Sequence, residues 1–449
     1  MKELKTTRRT VVRERAVLVE VTLGGDAVGL EGHRNRLEEL ARLADTAGAQ
    51  VVATASQRRR DVDPSTYVGR GKADALGRLA AAERAHVIIF DNDLSPAQVR
   101  NLEAAAQTKV IDRSELILDI FASRARTNEA RLQVELAQLE YLYPRLRRMW
   151  THLSRLEGGG IGARGPGETQ LETDRRIVRR RITDLKRKIR EIDARKERVV
   201  RSRGDRLSVG LVGYTNAGKS SLLNALTNAN VYVEDKLFAT LDTRTRAWRL
   251  PHRLSALLSD TVGFIRDLPH HLVASFKATL EEAVHADLLL HVADVSTEHL
   301  AGDVAAVHAV LEEIGCAGKP EVVVLNKCDR VEDPVQLDLA VRRFPGAVLT
   351  SATRGDGLEA LARTVAERLV GPPREITVGV SPADGRFLAW LEQHSEVLQR
   401  SLQDGQIVQR VRLPERLVAE ISQRAAGPVR VASEEPGFSI PAAAEPNAP

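Results

Sequence analysis

The first part of the chain alternates short apolar runs with stretches in which apolar residues recur at helical spacing. Strand-like runs occur at Ala16 to Val21, Ala49 to Ala55, Val87 to Phe90 and Lys109 to Ile111. Helix-like stretches separate them, at Gly32 to Ala47, Lys72 to Ala85 and Pro96 to Thr108. This alternation is typical of a parallel sheet covered by helices. We therefore expect residues 1–122 to form an N-terminal α/β domain.

Residues 123–204 carry two long apolar stripes at steps of three and four residues. The stripes comprise Leu132, Leu136, Leu139, Tyr143, Leu146 and Leu153, then Val178, Ile182, Leu185, Ile189, Ile192 and Val199. Between them, residues 158–167 contain six glycines and a proline. In a helix interior, glycine costs about 1 kcal/mol and proline about 3 kcal/mol. The pattern predicts an antiparallel helical hairpin arm with a glycine-rich, basic tip.

The region 205–370 returns to alternating strand and helix patterns. Its strand-like runs are Leu207 to Val212, Ala256 to Ser259, Leu288 to Asp294, Glu321 to Leu325 and Ala347 to Ser351. Such a region predicts a doubly wound sheet whose ligand-binding loops follow the carboxyl ends of the strands.

Two smaller regions complete the chain. Residues 371–433 mix a strand, a predicted helix from Gly385 to Leu402 and further short strands, which indicates a small α+β C-terminal domain. Residues 434–449 are rich in proline, alanine and glutamate, and we expect them to be a disordered tail. The predicted fold class is therefore α/β and multidomain.

Composition narrows the class of protein. The chain has 449 residues, of which 43% are hydrophobic, enough for several globular domains. No apolar stretch approaches the roughly 20 residues that a membrane span needs. The N-terminal residues are basic and polar, so we expect no export signal and a cytoplasmic enzyme. With only two cysteines, a disulfide scaffold and a cysteine-based zinc site are excluded.

Residues 213–220 match the phosphate-binding loop pattern G-x-x-x-x-G-K-[ST] at every fixed position. An apolar run precedes the loop and a helical pattern follows it, so backbone N–H groups and a helix N-terminus can form an anion cradle. We expect Gly213 and Gly218 to permit close approach of phosphate, Lys219 to reach the β- and γ-phosphates, and Ser220 to ligate Mg²⁺. The remaining residues of the predicted cradle are Tyr214, Thr215, Asn216 and Ala217.

A D-x-x-G sequence follows the apolar run that ends at Ser259. Asp260 can hold Mg²⁺ through a water, and the Gly263 N–H can sense a γ-phosphate. The intervening residues, Thr261 and Val262, belong to the same predicted nucleotide-binding loop.

The segment between these two motifs is a candidate nucleotide-sensing loop. A threonine there can complete the Mg²⁺ shell when the γ-phosphate is present and so order the loop. We expect this ligand to be Thr240, with Thr243 as a second candidate, although a hydroxyl that only caps a turn stays open. Its nucleotide-binding residues are predicted to be Phe238, Ala239, Thr240, Leu241 and Asp242. Lys219, Thr240 and Gly263 are the residues expected to support hydrolysis directly.

The sequence Asn326-Lys327-Cys328-Asp329 follows another apolar run and indicates which nucleotide base is bound. Guanine presents N1–H and a 2-amino group on one edge, and the Asp329 carboxylate can accept both hydrogen bonds. Adenine would leave that acid unpaired, which favours GTP over ATP. We expect Asn326 to brace the phosphate loop and the Lys327 stem to cover the base. A second loop, Ser351, Ala352 and Thr353, can offer a backbone N–H to the guanine oxygen.

Phe264 occupies the position where many GTPases place a glutamine that orients the attacking water. A phenylalanine cannot hydrogen-bond to that water. We therefore expect slow turnover by the isolated protein and acceleration by a partner.

The second hairpin helix is strongly basic in a chain whose formal net charge is +5. Its cations are Arg175, Arg176, Arg179, Arg180, Arg181, Lys186, Arg187, Lys188 and Arg190. A solvated face balanced by nearby acids is one interpretation. The cations outnumber those acids, however, and the tip adds Arg164, so the arm is also suited to contact the phosphates of folded RNA.

Several of these motifs resemble the HflX family of bacterial ribosome-associated GTPases. The resemblance is carried by Leu94 to Pro96, Arg100 to Glu103, Val110 to Arg113, Leu116 to Ala122, Leu132 to Leu139, Met149 to His152, Gly165 to Arg176 and Asp260 to Pro269. One departure is Asp242-Thr243-Arg244, where the family usually has Asp-Pro-Thr.

The resemblance implies a GTPase that binds the large ribosomal subunit and ribosomal RNA and splits or rescues stalled or idle ribosomes under stress. It also implies Mg²⁺ ligands at Ser220 and Thr240. We expect the protein to be monomeric when free. Two alternatives stay open: a ribosome assembly GTPase that acts on precursor subunits, and an ATP-driven RNA remodeller.

Overall fold

The computed structural model describes residues 14–24, 30–156, 166–202, 207–227, 237–238, 244–251, 254–266, 282–403, 405–425 and 430–433. Its contacts divide the chain into two compact units. The first unit comprises residues 1–202, 234–242 and 267–279, and the second comprises the rest. The predicted tail 434–449 and residues 158–165 of the predicted tip lie outside the described residues.

The first unit contains a four-stranded parallel sheet in the order β2-β1-β3-β4. The strands are β1 (Arg15–Leu23), β2 (Gln50–Arg59), β3 (Val87–Phe90) and β4 (Lys109–Asp112). The helices around it are α1 (Leu30–Thr46), α2 (Arg70–Ala82), α3 (Pro96–Ala106) and α4 (Arg113–Arg124). The central strands β1 and β3 are buried along almost their whole length, as expected where helices cover a parallel sheet, whereas the edge strand β2 is more polar and partly exposed. The predicted α/β architecture is confirmed.

The hairpin consists of α5 (Asn128–Leu156) and α6 (Pro166–Ser202). Arg175 contacts the hydroxyl of Tyr143, whereas Arg181 forms a two-bond pair with Glu135. Residue numbers rise along α6 as they fall along α5, so the two helices are antiparallel. Because proline fits the first turn of a helix, α6 begins at Pro166, inside the segment that we expected to be non-helical.

The second unit contains a six-stranded sheet in the order β10-β9-β8-β5-β7-β6. Its strands are β5 (Leu207–Gly213), β6 (Arg244–Arg249), β7 (Ser255–Asp260), β8 (Leu288–Asp294), β9 (Glu321–Asn326) and β10 (Val348–Leu349). Its helices are α7 (Lys219–Thr227), α8 (Leu300–Glu313), α9 (Pro334–Arg343) and α10 (Leu358–Val370). All strands except β6 are parallel, so their carboxyl ends, and the loops that follow, lie along one edge.

A smaller antiparallel sheet, in the order β12-β13-β11-β14, follows in the same unit. It comprises β11 (Pro373–Val380), β12 (Glu396–Gln403), β13 (Gln406–Pro414) and β14 (Arg430–Ser433), with α11 (Gly385–His394) and α12 (Glu415–Arg424). Apolar side chains from these elements form one core, which includes Val378, Phe387, Leu391, Val411 and Ile421.

The predicted helix from Gly385 to Leu402 is wrong in its second half. The helix ends at His394, and the Ser395 hydroxyl donates a hydrogen bond to the Leu391 carbonyl at 2.6 Å. The residues after it form β12 instead. Val397 and Leu402 are 38% and 71% exposed in this strand, so the apolar stripe that suggested a longer helix is not buried in the fold. Pairing with β13 satisfies the backbone instead.

Among the helices that the structure describes, none is both long enough and apolar enough to cross a membrane.

Candidate GTP-binding site

The phosphate-binding loop joins β5 to α7 at the edge where the parallel strands end. Gly213 has φ +148° and Gly218 has φ +95°, values that L side chains rarely adopt. A Cβ atom at Gly213 would collide with the carbonyl oxygen of Val292, and one at Gly218 would collide with the side-chain amide of Asn326. Both glycines are therefore required by close packing as well as by backbone conformation.

Lys219 is the first residue of α7, and its side chain is buried. Its Nζ donates hydrogen bonds to the carbonyl oxygens of Gly213, at 3.0 Å, and Tyr214, at 3.1 Å. Burial lowers the pKa of Lys219 to about 8, although the Asp260 carboxylate opposes this shift. The ammonium therefore lies inside the loop at neutral pH, where an anion would offset its cost of desolvation.

The side chains of Ser220 and Asp260 converge from α7 and β7. The Ser220 hydroxyl donates a hydrogen bond of 2.5 Å to Oδ2 of Asp260. The next residue, Thr261, is buried and donates from its hydroxyl to the Leu211 carbonyl at 2.6 Å, which ties the D-x-x-G loop to β5. A hydroxyl and a carboxylate at the mouth of the loop are oxygen donors of the kind that Mg²⁺ prefers.

Gly263 lies against the phosphate-binding loop. A Cβ atom there would lie 2.8 Å from the Cα of Thr215 and 3.1 Å from Nζ of Lys219. The neighbouring Val262 is buried. The glycine thus brings the D-x-x-G backbone close to the position where a terminal phosphate would meet Lys219.

Phe264 is buried, with 2% of its surface exposed, and its backbone joins the two loops. Its N–H donates to the Gly213 carbonyl at 3.1 Å, and its carbonyl accepts from the Thr215 N–H at 2.6 Å. The ring therefore packs in the interior and offers no hydrogen bond to a water at the site. The backbone of Phe264 thus holds the D-x-x-G loop against the phosphate-binding loop.

Asn326, at the end of β9, connects three loops of the site. Its Nδ2 donates to the Ala217 carbonyl at 3.0 Å. Its Oδ1 accepts from the Thr350 hydroxyl at 3.3 Å and from the Ala352 N–H at 3.2 Å. Since Asn326 is 1% exposed, these bonds satisfy a buried amide and fix the base-binding loops against the phosphate loop.

Lys327 adopts a left-handed backbone conformation with φ +64°, which costs about 1–3 kcal/mol for a residue other than glycine. Its Nζ donates to the Asn216 carbonyl at 2.8 Å and pairs with the Asp294 carboxylate at 2.7 Å. The side chain thereby extends across the phosphate-binding loop, and its alkyl stem is available to cover a base.

Asp329 and the loop after β10 form the remaining part of the site. The Thr353 hydroxyl donates to Oδ2 of Asp329 at 3.3 Å. A side-chain hydrogen bond from Ser351 is the main reason that the pKa of Asp329 is lowered, which keeps a carboxylate here at neutral pH. Between these residues, the Cys328 N–H donates to the Thr350 carbonyl, and burial raises the pKa of the Cys328 thiol.

Part of the predicted nucleotide-sensing loop, residues 239–243 with both threonine candidates, lies outside the described residues. The described part begins at Leu237 and Phe238, which belong to the first unit. Phe238 is 1% exposed and packs edge-on against Phe121 of α4, with ring centroids 4.7 Å apart. The loop is therefore anchored in the first unit at this point.

Two contacts of the site were not predicted. Asp294 was predicted to end a strand but was not predicted to belong to the site. It lies at the carboxyl end of β8, which pairs in parallel with β9, and its ion-pair partner Lys327 directly follows β9. Arg266 pairs with Asp303 at 2.7 Å, and its N–H donates to the Tyr214 hydroxyl at 3.0 Å. The position of Asp294 at a strand end could have indicated that it belongs to the site. The contacts of Arg266, in contrast, are with residues distant in sequence and could not be predicted.

Comparison with known families matches almost the whole chain in consecutive parts. The matched families are GTP-binding GTPase N-terminal (34–122), GTP-binding GTPase middle region (124–203), 50S ribosome-binding GTPase (208–327) and HflX C-terminal domain (339–435).

Individual relatives extend this match. GTPase HflX of Escherichia coli K12 is 44% identical over 405 residues, which cover 89% of this chain and 94% of that protein. GTPase HflX of Lacrimispora saccharolytica is 42% identical over 418 residues, which cover 92% of this chain and 97% of that protein. Among solved structures, a GTP-binding protein from Sulfolobus solfataricus in complex with GDP is 26% identical, with a TM-score of 0.42 and coverage of 79% of this chain.

These relatives share more than two fifths of their residues with this chain over nearly its full length, and the nucleotide motifs lie together at one sheet edge. The protein therefore belongs to the HflX family and is a GTPase, which hydrolyses GTP to GDP and phosphate.

Proposed function

We propose that this GTPase binds the large ribosomal subunit and uses GTP binding and hydrolysis to split or rescue stalled or idle ribosomes. The observation that carries the proposal is the combination of a nucleotide site and a cationic arm in one chain. The match of residues 208–327 to a 50S ribosome-binding GTPase family supports the partner. We also propose that the protein acts in the cytoplasm and is monomeric when free.

The arm presents cations that are available for RNA. On α6, Arg176, Arg180, Lys188 and Arg190 are exposed and have no ion-pair partner among the described residues. Other cations of the helix pair with acids, as Lys186 does with Glu140 at 2.8 Å. The interpretation as a face balanced by acids describes these paired cations, and we propose contact with RNA for the unpaired ones. The unpaired set gives the electrostatic attraction that binding to RNA phosphates requires.

Mg²⁺ fits the residues present at the phosphate loop. The Ser220 hydroxyl is the proposed direct ligand, Asp260 the acceptor for a metal-bound water, and Thr240 the proposed second protein ligand. When bound, Mg²⁺ would neutralise charge on the β- and γ-phosphate oxygens. Lys219 and the loop N–H groups would orient the same phosphates, and Asp329 would accept the two guanine N–H bonds that distinguish GTP from ATP.

Hydrolysis requires a water aligned with the γ-phosphorus, and the buried ring of Phe264 does not orient one. We therefore expect purified large ribosomal subunits to raise GTP turnover by about 10²-fold, the effect of supplying one well-placed hydrogen-bond donor. The measurement is phosphate release at saturating GTP, with small subunits at equal concentration as the control. Equal rates with and without large subunits would contradict the proposed activation.

A second measurement separates splitting from the alternatives. The protein is mixed with intact ribosomes and a non-hydrolysable GTP analogue, and the subunits are resolved by sedimentation. Dissociation into subunits supports splitting, whereas binding only to precursor subunits supports an assembly factor. Equal affinity for ATP and GTP would instead favour an RNA remodeller.

A further inference from the structure

Three side chains that the GTPase site does not use converge on the α8 side of the six-stranded sheet. His291 lies in the middle of β8, His308 on α8, and Glu321 at the start of β9. In the sheet register Leu289 is opposite Glu321 and His291 is opposite Val323, so Glu321 and His291 are diagonal neighbours on one face. Helix α8 brings His308 to the same point.

The ligand atoms face one another. His291 Nδ1 lies 2.7 Å from Oε1 of Glu321, and His308 Nε2 lies 3.1 Å from each carboxylate oxygen. The two imidazole rings are edge-on, with centroids 5.0 Å apart. One potential ligand atom from each residue lies within 4.8 Å of the others. Three elements distant in sequence thus present two nitrogens and one oxygen to a single point.

We propose that His291, His308 and Glu321 form a binding site for a divalent transition-metal ion, with Zn²⁺ as the best-fitting ion. Two histidines and one carboxylate are a common three-residue ligand set for zinc, with water as the fourth ligand. At Zn–N distances of about 2.0–2.1 Å, tetrahedral ligands lie roughly 3.3 Å apart. The observed separations need only a small expansion to accommodate the ion.

The surroundings favour a bound ion. The His291 side chain is 1% exposed, so its ring is held by packing, whereas that of His308 is 45% exposed and leaves an entry path from solvent. Neutral imidazoles with one carboxylate carry a net charge of −1, which a divalent cation reverses to +1. In the ion-free protein each nitrogen that faces Glu321 donates its proton in a hydrogen bond to the carboxylate. Binding an ion through these nitrogens therefore requires that proton to move to the other ring nitrogen, which a neutral imidazole permits.

The ligand types distinguish this site from the nucleotide site. Imidazole nitrogen favours Zn²⁺, Co²⁺, Ni²⁺ and Cu²⁺, whereas Mg²⁺ takes oxygen ligands and retains water. Excess Mg²⁺ should therefore occupy the phosphate site without displacing an ion from the histidines. The bound ion would join α8 to two central strands and stabilise the second unit.

The test uses the full-length protein, stripped with a chelator and dialysed into excess Mg²⁺ without nucleotide. Zn²⁺ binding is measured by titration calorimetry, and Co²⁺ binding by the visible absorption of four-coordinate cobalt. We expect one equivalent to bind, and His308→Ala or Glu321→Gln to weaken binding by at least about 10-fold, the effect of losing a ligand or its close support. Saturating Zn²⁺ should raise the Tm of the nucleotide-free protein by on the order of 5 °C.

The matched control is His285→Ala, which removes an exposed histidine of the same unit and should leave Zn²⁺ binding unchanged. GTP binding by each variant reports on correct folding, because neither His308 nor Glu321 belongs to the nucleotide site. Absence of a stoichiometric zinc site would overturn the proposal. So would an affinity that His308→Ala and Glu321→Gln leave intact; the three residues would then form only a hydrogen-bonded link.

Discussion

Replacing Lys219 with alanine should lower GTP hydrolysis by about 10²–10³-fold, the size of effect seen when one preorganised electrostatic contact to a reacting group is removed. The Lys219 ammonium is buried and bonded to carbonyl oxygens of the loop, and we propose that it binds the β- and γ-phosphates when GTP is present. GTP affinity should fall with it, by about 10-fold or more, because a hydrogen bond to a charged group contributes about 1.5–3 kcal/mol. Phosphate release and binding of a fluorescent GTP analogue measure the two effects.

The same substitution should leave the unliganded protein folded. Burial lowers the pKa of Lys219 to about 8, so holding the ammonium in the interior at pH 7 costs free energy that alanine does not. Circular dichroism and thermal unfolding check this point. Lys109→Ala, an exposed lysine of β4, is the matched control and should retain full activity. Unchanged hydrolysis by Lys219→Ala would rule out its proposed contact with phosphate.

Replacing Asp329 with asparagine should lower affinity for GTP by about 10²–10⁴-fold, since the guanine 2-amino group loses its acceptor and faces an amide donor. Xanthine has an oxygen at that position. The asparagine amide can donate to this oxygen while its carbonyl accepts from N1–H, so affinity for xanthosine triphosphate should rise. Competition binding with GTP and xanthosine triphosphate measures this change of preference.

Asp338→Asn provides the control for this exchange, because Asp338 is an exposed aspartate on α9 of the same unit. It should bind GTP like the parent protein. If Asp329→Asn instead lost affinity for both nucleotides equally, the carboxylate would act in folding of the loop and not in recognition of the base.

The sequence predicted most elements that have a strong local pattern. The four strands of the first unit and the parallel strands of the second were found because each contains a short apolar run, which is longest in the central, helix-covered strands. Strand β6 was not predicted. It reads Arg-Thr-Arg-Ala-Trp-Arg, lies at the sheet edge, and buries Trp248 while leaving most of its other side chains partly or fully exposed. Its strand conformation depends on antiparallel pairing with β7.

The same limit applies to the site. The phosphate-loop glycines are recognisable because their backbone requirements are local. The contacts of Lys327 are not local. Its motif suggested a lysine near the base, but its ion pair with Asp294 requires β8 and β9 to be neighbours. Proximity across the sheet is a property of topology, and one motif cannot specify it.

Phe238 ties the nucleotide-sensing segment to the first unit through Phe121. Two residues of extended chain reach at most about 7 Å, so the Cα of Thr240 stays within that radius of the Cα of Phe238. Recruitment of Thr240 as a magnesium ligand would therefore pull on the contact between the Phe238 and Phe121 rings. Phe238→Ala should cut this tether and raise affinity for a GTP analogue relative to GDP, as competition binding would show. In that case the contact between Phe238 and Phe121 would set how strongly the segment responds to the γ-phosphate.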